Sequence, residues 1–323
     1  MIGAQKGAGI LKRYPRISFY ILAIVGGVVL FWFLKQVFSG HIIVNGTLLK
    51  LGPFQIRWYG VLIVTGILLA YTIAKHRAIR EGVKEDDLLG ALFWGVVSGI
   101  ACARLYYVVF NWGYYSRHLD EIFKTWHGGL AIHGAILGAI LSTFLYTRFK
   151  KDVSFSFMQG LDLFTSVLPL AQALGRWGNF FNYEAYGAPT DLPWKMFVPP
   201  EYRMIGYERF EYFHPTFLYE SLWDLLVFYL VFNYTRRYRK RFGETTALYF
   251  ILYSLGRYFI EGLRLDSLYV GGIRTAQLMS ILLMCLGIAM LLIFRKWGER
   301  VPDSMRKVDE NAQKTGEGKG SGK

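Results

Sequence analysis

The chain has 323 residues, 53% of them hydrophobic, with 37 Lys and Arg against 23 Asp and Glu, a formal charge of +14. Uncharged runs long enough to cross a bilayer exclude an ordinary soluble core. The basic residues fall between those runs rather than along one face, which excludes the nucleic-acid partner that such a charge otherwise implies.

In chain order, residues 1–44 read as an N-terminal extension whose stretch 17–34 carries no charge. Its basic flank resembles a secretory leader. No small-residue cleavage site of the A-x-A kind follows it, so it is expected to stay as a membrane helix. Further apolar runs lie at about 58–74, 88–110, 127–147, 160–182, 215–233, 245–263 and 275–294. The expectation is an all-α polytopic membrane protein of about eight transmembrane helices, with the main domain over 45–298.

Basic clusters stand at alternate connections: Lys6/Lys12/Arg13/Arg16, Lys75/Arg77/Arg80/Lys84, Arg148/Lys150/Lys151, Arg236/Arg237/Arg239/Lys240/Arg241 and Arg295/Lys296/Arg300. This positive-inside pattern puts both termini in the cytoplasm. The connection 184–214, with Pro189, Pro193, Pro199, Pro200 and several aromatics, is expected to form a small extracytoplasmic cap. The polar tail 299–323 reads as disordered and cytoplasmic. Cys102 and Cys285 fall in apolar runs, where buried thiols are expected. Neither metal-ligand spacing nor a serine elbow is evident, and no cofactor is expected.

Ionisable side chains inside the apolar runs cost roughly 2.5–3.5 kcal/mol each on insertion scales, so each needs a cavity or a partner. They are Arg104, His133, Asp162, Arg176, Glu220, Asp224, Arg257, Glu261 and Arg264, with Asn179 beside Arg176 and with Arg57 and Tyr59 at the outer end of an early run. Arg257, Glu261 and Arg264, at i, i+4 and i+7, share one helical face. Ion pairing between helices explains part of this set, Glu220 and Asp224 above all. The arginines nevertheless outnumber the carboxylates expected near them, and a surplus of buried positive charge calls for an anion, for which arginine offers a bidentate fork. Gly134-x-x-x-Gly138 and Gly95-x-x-x-Gly99 read as helix-packing pairs. Gly175 and Gly178 read as places of close approach. His133 is either a satisfied core residue or a proton carrier, and His127 reads as interfacial. From spacing alone, a polytopic protein with an anion site is as far as the residues go. An anion transporter, a lipid-binding scaffold and a lipid hydrolase all remain open.

The segments QIRWYG (55–60), HGGLAIHG (127–134), GRWGNFFNYEAYG (175–187), HPTFLYE (214–220) and GRYFIEGLR (256–264), in this order, resemble the bacterial prolipoprotein diacylglyceryl transferases over roughly residues 45–295. The resemblance implies an inner-membrane enzyme that moves the diacylglyceryl group of phosphatidylglycerol onto the lipobox cysteine of a prolipoprotein signal peptide. The implied products are a thioether and glycerol phosphate. It also implies roles. Arg176 and Arg257 bind the lipid phosphate, Asn179 and Glu184 position the head group, and Glu184 is a candidate proton acceptor. Tyr59 and Gly187 are substrate-binding, Glu261 orients Arg257, and Arg264 completes the network. His133 is the candidate base for the substrate thiol, although an arginine or carboxylate that lowers the thiol pKa is an alternative. The sequence departs from the family pattern at Ala135, Tyr183 and Phe217, and in the extra N-terminal helix, for which peripheral packing is the expectation.

Overall fold

A computed structural model of the chain describes residues 15–52, 54–125, 128–303 and 305. His127, the basic residues before position 14 and nearly all of the tail lie outside this range. The architecture is mostly helical, with three two-stranded β ribbons at the ends of helices.

Helix α1 (Pro15–Phe38) leads to ribbon β1–β2 (Thr47–Leu51, Phe54–Arg57). Helices α2 (Trp58–Arg80) and α3 (Glu85–Phe110) follow, then the short α4 (Trp112–Tyr115) and α5 (Ile132–Phe149). The expected run 160–182 is two helices, α6 (Phe157–Thr165) and α7 (Leu168–Asn182). Pro169 in the first turn of α7 supplies no N–H to the preceding helix, so the chain restarts there. Helices α8 (Thr216–Arg237), α9 (Glu244–Glu261) and α10 (Thr275–Trp297) complete the bundle. Strands β3 (Met196–Phe197) and β4 (Tyr212–Phe213) lie between α7 and α8, and strands β5 (Tyr269–Val270) and β6 (Ile273–Arg274) lie between α9 and α10.

Four helices, α2, α3, α5 and α10, are long and apolar enough to cross a membrane. Leu68, Phe93, Leu105, Leu137 and Leu292 are exposed on them, the pattern of helices solvated by hydrocarbon rather than water. Helices α8 and α9 bury Glu220, Asp224, Glu244 and Glu261 instead. Helix α8 also exposes Leu222, Leu225 and Leu226, so it is apolar on one side and polar on the other.

Small residues set the closest approaches. A methyl on Gly138 would lie 2.5 Å from the Ser98 carbonyl, and Gly134 lies against the Cys102 carbonyl, so α3 and α5 meet backbone to backbone. Gly99 takes part, 3.4 Å from the Ala135 carbonyl, but Gly95 faces open space, which corrects its reading as a packing residue. The cysteine expectation also needs correction: Cys285 is exposed on α10, and Cys102 is half-buried.

At the end of the bundle where the basic clusters lie, Asp162 accepts bonds from the backbone N–H of Gly243 (2.9 Å) and of Thr246 (3.0 Å), acting as a remote cap for α9. Arg239 joins Asp162 (3.4 Å) to Glu81 (2.7 Å), and Glu81 also meets Arg77 (2.8 Å). Asp162 thus belongs to a structural network remote from Arg176.

The segment 184–214 packs as a unit at the opposite end. Tyr183, Tyr186, Met196, Val198 and Phe213 form one buried cluster with Phe180, Phe217, Val37 and Val44. The last turn of α1 is therefore core, and the expectation of peripheral packing fails there. Val37 is fully buried because the chain turns back at Gly40 beneath Phe197, and the Tyr183 hydroxyl accepts the Val44 N–H at 3.0 Å.

Candidate active site

Arg176 projects from the last turn but one of α7. Helix α7 packs on α2, where Gly178 gives the room that the Tyr59 ring fills, and Tyr59 and Tyr253 are electrostatic neighbours of Arg176. Helix α7 is tied to α8 through Ser221, whose hydroxyl accepts from Trp177 (3.2 Å) and donates to the Ala173 carbonyl (2.9 Å). This docking places Arg176 Nε 2.6 Å from Glu220 Oε2 and 3.8 Å from Asp224 Oδ2.

Glu220 is the hub. Its Oε1 pairs with Arg257 from α9 and stands 3.4 Å from Arg264 Nη1. Glu261 meets Arg257 Nη2 at 2.6 Å and Arg264 Nε at 3.8 Å, so it bridges the two arginines as the spacing implied. The helix, however, ends at Glu261, and Arg264 returns to the cluster on the turn that follows. That turn is held by Gly187. Its N–H donates to the His214 carbonyl (2.9 Å), Ala188 N–H donates to the Leu263 carbonyl (2.8 Å), and Gly187 and Arg264 form a β-bridge. A methyl on Gly187 would lie 2.8 Å from His214 Cβ and 2.9 Å from Thr216 Cγ2, so backbone packing accounts for the glycine.

Asp266 forks onto Arg264 at 2.7 and 2.9 Å. Burial opposes ionisation of Asp266, but the Arg264 bonds and charge hold its carboxyl below the usual range. Three guanidinium groups thus face four carboxylates: Glu220, Asp224, Glu261 and Asp266. The expected surplus of positive charge is not present, because residues read as pairing between helices are the arginines' own partners. Arg176 Nε, Asp224 Oδ2 and Glu261 Oε2 are buried and held in these ion pairs rather than in well-aligned hydrogen bonds. Arg176, Glu220, Trp223, Asp224, Tyr253, Arg257 and Ile260 line a small cleft there.

Asn179, on the turn of α7 beyond Arg176, donates to Glu184 Oε1 at 2.9 Å, and Asn182 donates to the same oxygen at 3.3 Å. Tyr183, left-handed at φ 50°, ends α7, and Glu184 is exposed beyond it. Asn179 and Glu184 are therefore one hydrogen-bonded pair at the C-terminal end of α7.

His133 is exposed at the start of α5 and stacks at 6.0 Å on Tyr106 of α3. Among the described residues, no hydrogen bond or ion pair joins it to the arginine cluster. Arg104 is also separate. It donates to the carbonyls of Glu121 (2.7 Å), Ile122 (2.8 Å), Gly128 (2.9 Å) and Gly129 (3.0 Å), tying down the connection that leads to His133.

Among the described residues, no group of His, Cys, Asp and Glu is placed to hold a metal ion. The family model for prolipoprotein diacylglyceryl transferase matches residues 46–293, a range that contains the arginine cluster, Asn179–Glu184 and His133. The chain belongs to the prolipoprotein diacylglyceryl transferase family. It is 55% identical over 292 residues to the phosphatidylglycerol–prolipoprotein diacylglyceryl transferase of Fervidobacterium nodosum, covering 90% of this chain and 99% of that one. It is 58% identical over 268 residues to the enzyme of the same name from Thermotoga petrophila, covering 83% and 91%. Helix α1 precedes the residues that the transferase family model matches.

The motifs singled out Arg176, Arg257, Glu261 and Arg264, and these four are together. Glu220 and Asp224 were not assigned to the site, although Glu220 closes the HPTFLYE segment and Asp224 follows it by one helical turn. Asp266 was missed altogether. Its only signal is a position two residues after Arg264.

Proposed function

We propose that this chain transfers the diacylglyceryl group of phosphatidylglycerol to the lipobox cysteine of a prolipoprotein signal peptide, with the arginine cluster as the phosphate site. In this reaction the cysteine sulfur attacks the diacylglyceryl carbon that carries the phosphate. An S–C bond forms, and the C–O bond to phosphate breaks with its electron pair leaving on oxygen. The leaving glycerol phosphate gains negative charge. Preorganised guanidinium groups in a water-poor cleft stabilise such developing charge most effectively. The observation that carries the reading is the convergence of Arg176, Arg257 and Arg264 on Glu220 beside a cleft that Arg176 and Arg257 line.

In this reading Arg176 and Arg257 bind the phosphate, and Glu261 and Arg264 hold Arg257 in place. Tyr59 bonds substrate beside α7. Glu184, oriented by Asn179, faces the head group, and Gly187 keeps the Arg264 turn seated. His133 takes the thiol proton. Its exposed ring is accessible to a signal peptide. Both substrates are membrane-borne, so they enter laterally.

Eight membrane crossings follow in the same account: α1, the α6–α7 pair as one, and α2, α3, α5, α8, α9 and α10. The segment 184–214 then lies as a cap on the outer face of the inner membrane, and both termini are cytoplasmic. Purified protein mixed with phosphatidylglycerol and a lipobox peptide should give a diacylglyceryl adduct on the peptide cysteine by mass spectrometry. Arg176→Ala should abolish it. A variant that transfers at the wild-type rate would remove the cluster from the mechanism.

A further inference from the structure

A second cavity lies at the opposite end of α8, α9 and α10, encloses about 900 Å³ and is open to the surface. Two backbone segments build it. The turn between α8 and α9 runs antiparallel to the chain leaving α10: Phe242 N–H donates to the Glu299 carbonyl and Val301 N–H to the Lys240 carbonyl, both at 2.9 Å. Arg241 and Arg300 stand directly opposite one another in this bridge. Like charges placed so are destabilising unless something between them compensates.

Cations outnumber carboxylates around the cavity. Lys240, Arg241, Arg295 and Arg300 line the cavity against two carboxylates, Glu244 and Asp303. Glu244 is buried and already occupied, accepting from the Tyr234 hydroxyl (2.9 Å) and the Lys240 backbone N–H (3.1 Å). Arg241 donates to the Gly298 carbonyl. The side chains of Lys240 and Arg300, both exposed, make no hydrogen bond or ion pair among the described residues. The apolar side of the opening is aromatic: Tyr234 and Tyr238 line it, and the exposed Trp297 lies beyond, with Lys296 over its ring at 4.6 Å. Tyrosine, tryptophan and lysine at the ends of membrane helices mark the head-group level of a bilayer.

We propose that this cavity is a second anion site, separate from the transfer site, that binds a phosphate ester between Lys240, Arg241 and Arg300. A cation-lined pocket between helix ends at the head-group level is suited to the phosphate of an anionic phospholipid of the inner leaflet, with its acyl chains alongside α8 and α10. A bound phosphate bridges Arg241 and Arg300 and so locks the turn before α9 to the chain after α10. A soluble phosphate ester would present the same group without the chains.

The test is native mass spectrometry of the full chain titrated with dioleoyl phosphatidic acid, comparing wild type, Lys240→Gln/Arg300→Gln and Arg176→Gln. Wild type and Arg176→Gln should hold one lipid that the double variant binds roughly tenfold or more weakly, the scale of two lost cation contacts to an anionic head group. The double variant should retain transfer activity, which shows that it is folded and keeps this result independent of the proposed reaction. Millimolar inorganic phosphate that displaces the lipid identifies a site for soluble phosphate esters. Failure to displace it identifies a lipid site. Equal occupancy in wild type and double variant overturns the proposal. So does binding that appears only after residues 306–323 are deleted, since the chain's own tail is then the occupant.

Discussion

Arg176 of α7 and Glu220 of α8 face each other at 2.6 Å, and the same carboxylate also receives Arg257 and Arg264. One buried side chain from the HPTFLYE segment therefore orients three cations that reach it from α7, from α9 and from the turn after α9. Removing the charge while keeping the shape, Glu220→Gln, takes from three half-buried guanidinium groups the one carboxylate they share and leaves them Asp224, Glu261 and Asp266. Breaking a buried pair in this way typically costs about 3–5 kcal/mol. The expected result is a lowered melting temperature together with loss of transfer. Wild-type stability would mean that Glu220 is not the hub.

Arg257→Lys separates charge from fork geometry. Lysine is a point charge and cannot pair with Glu220, Glu261 and a phosphate together. Transfer should fall by about 10²-fold, the scale of losing one preorganised donor to developing charge, with the melting temperature little changed. Kinetics on folded variant protein decide this, and an unchanged kcat would assign Arg257 to the scaffold.

Gly187→Ala tests the turn that carries Arg264. The added methyl meets His214, Thr216 and the Leu263 carbonyl, all within 3.0 Å. Overpacking of this kind costs roughly 1–3 kcal/mol. Stability and transfer should fall together, and a fully stable variant lacking activity would instead argue for direct substrate contact at Gly187.

His133→Gln should slow transfer most at neutral pH. An unperturbed thiol ionises near pH 8.5, so without a base the deficit should shrink as the pH rises toward 9. A deficit that is constant with pH, or no deficit, would remove the base role.

Trp194 donates to the Tyr219 oxygen at 2.6 Å, and the Tyr219 hydroxyl pairs with His214 Nδ1 at 3.2 Å, a bond that a neutral imidazole can accept. Burial lowers the His214 pKa. The folded state therefore disfavours protonation more than the unfolded chain does, and stability contributed by neutral His214 is present above about pH 6.5 and lost below it. Melting curves should show the decline on acidification, and His214→Asn should flatten it.

Much of the fold was legible because lipid enforces simple rules. Seven apolar runs became helices near their expected limits. The 160–182 run became two because Pro169 denies the backbone a donor. The packed last turn of α1 was hidden because Val37 looks like any membrane valine until the 184–214 segment folds over it. In the site, spacing located Glu261 between Arg257 and Arg264 because both contacts are local. The charge balance was misjudged because Glu220, Asp224 and Asp266 reach the arginines through tertiary packing or a turn, which no periodicity records. His133 was named by its motif alone, and spacing offered no means of measuring its distance from the arginines.

The most direct test of the account measures both products of one reaction. Purified protein, phosphatidylglycerol and a lipobox peptide are incubated, and the peptide thioether and the released glycerol phosphate are quantified together. The account predicts equal amounts of the two, with neither formed by Arg176→Ala. Glycerol phosphate released without thioether would show water, not the cysteine thiol, accepting the lipid, and would contradict it.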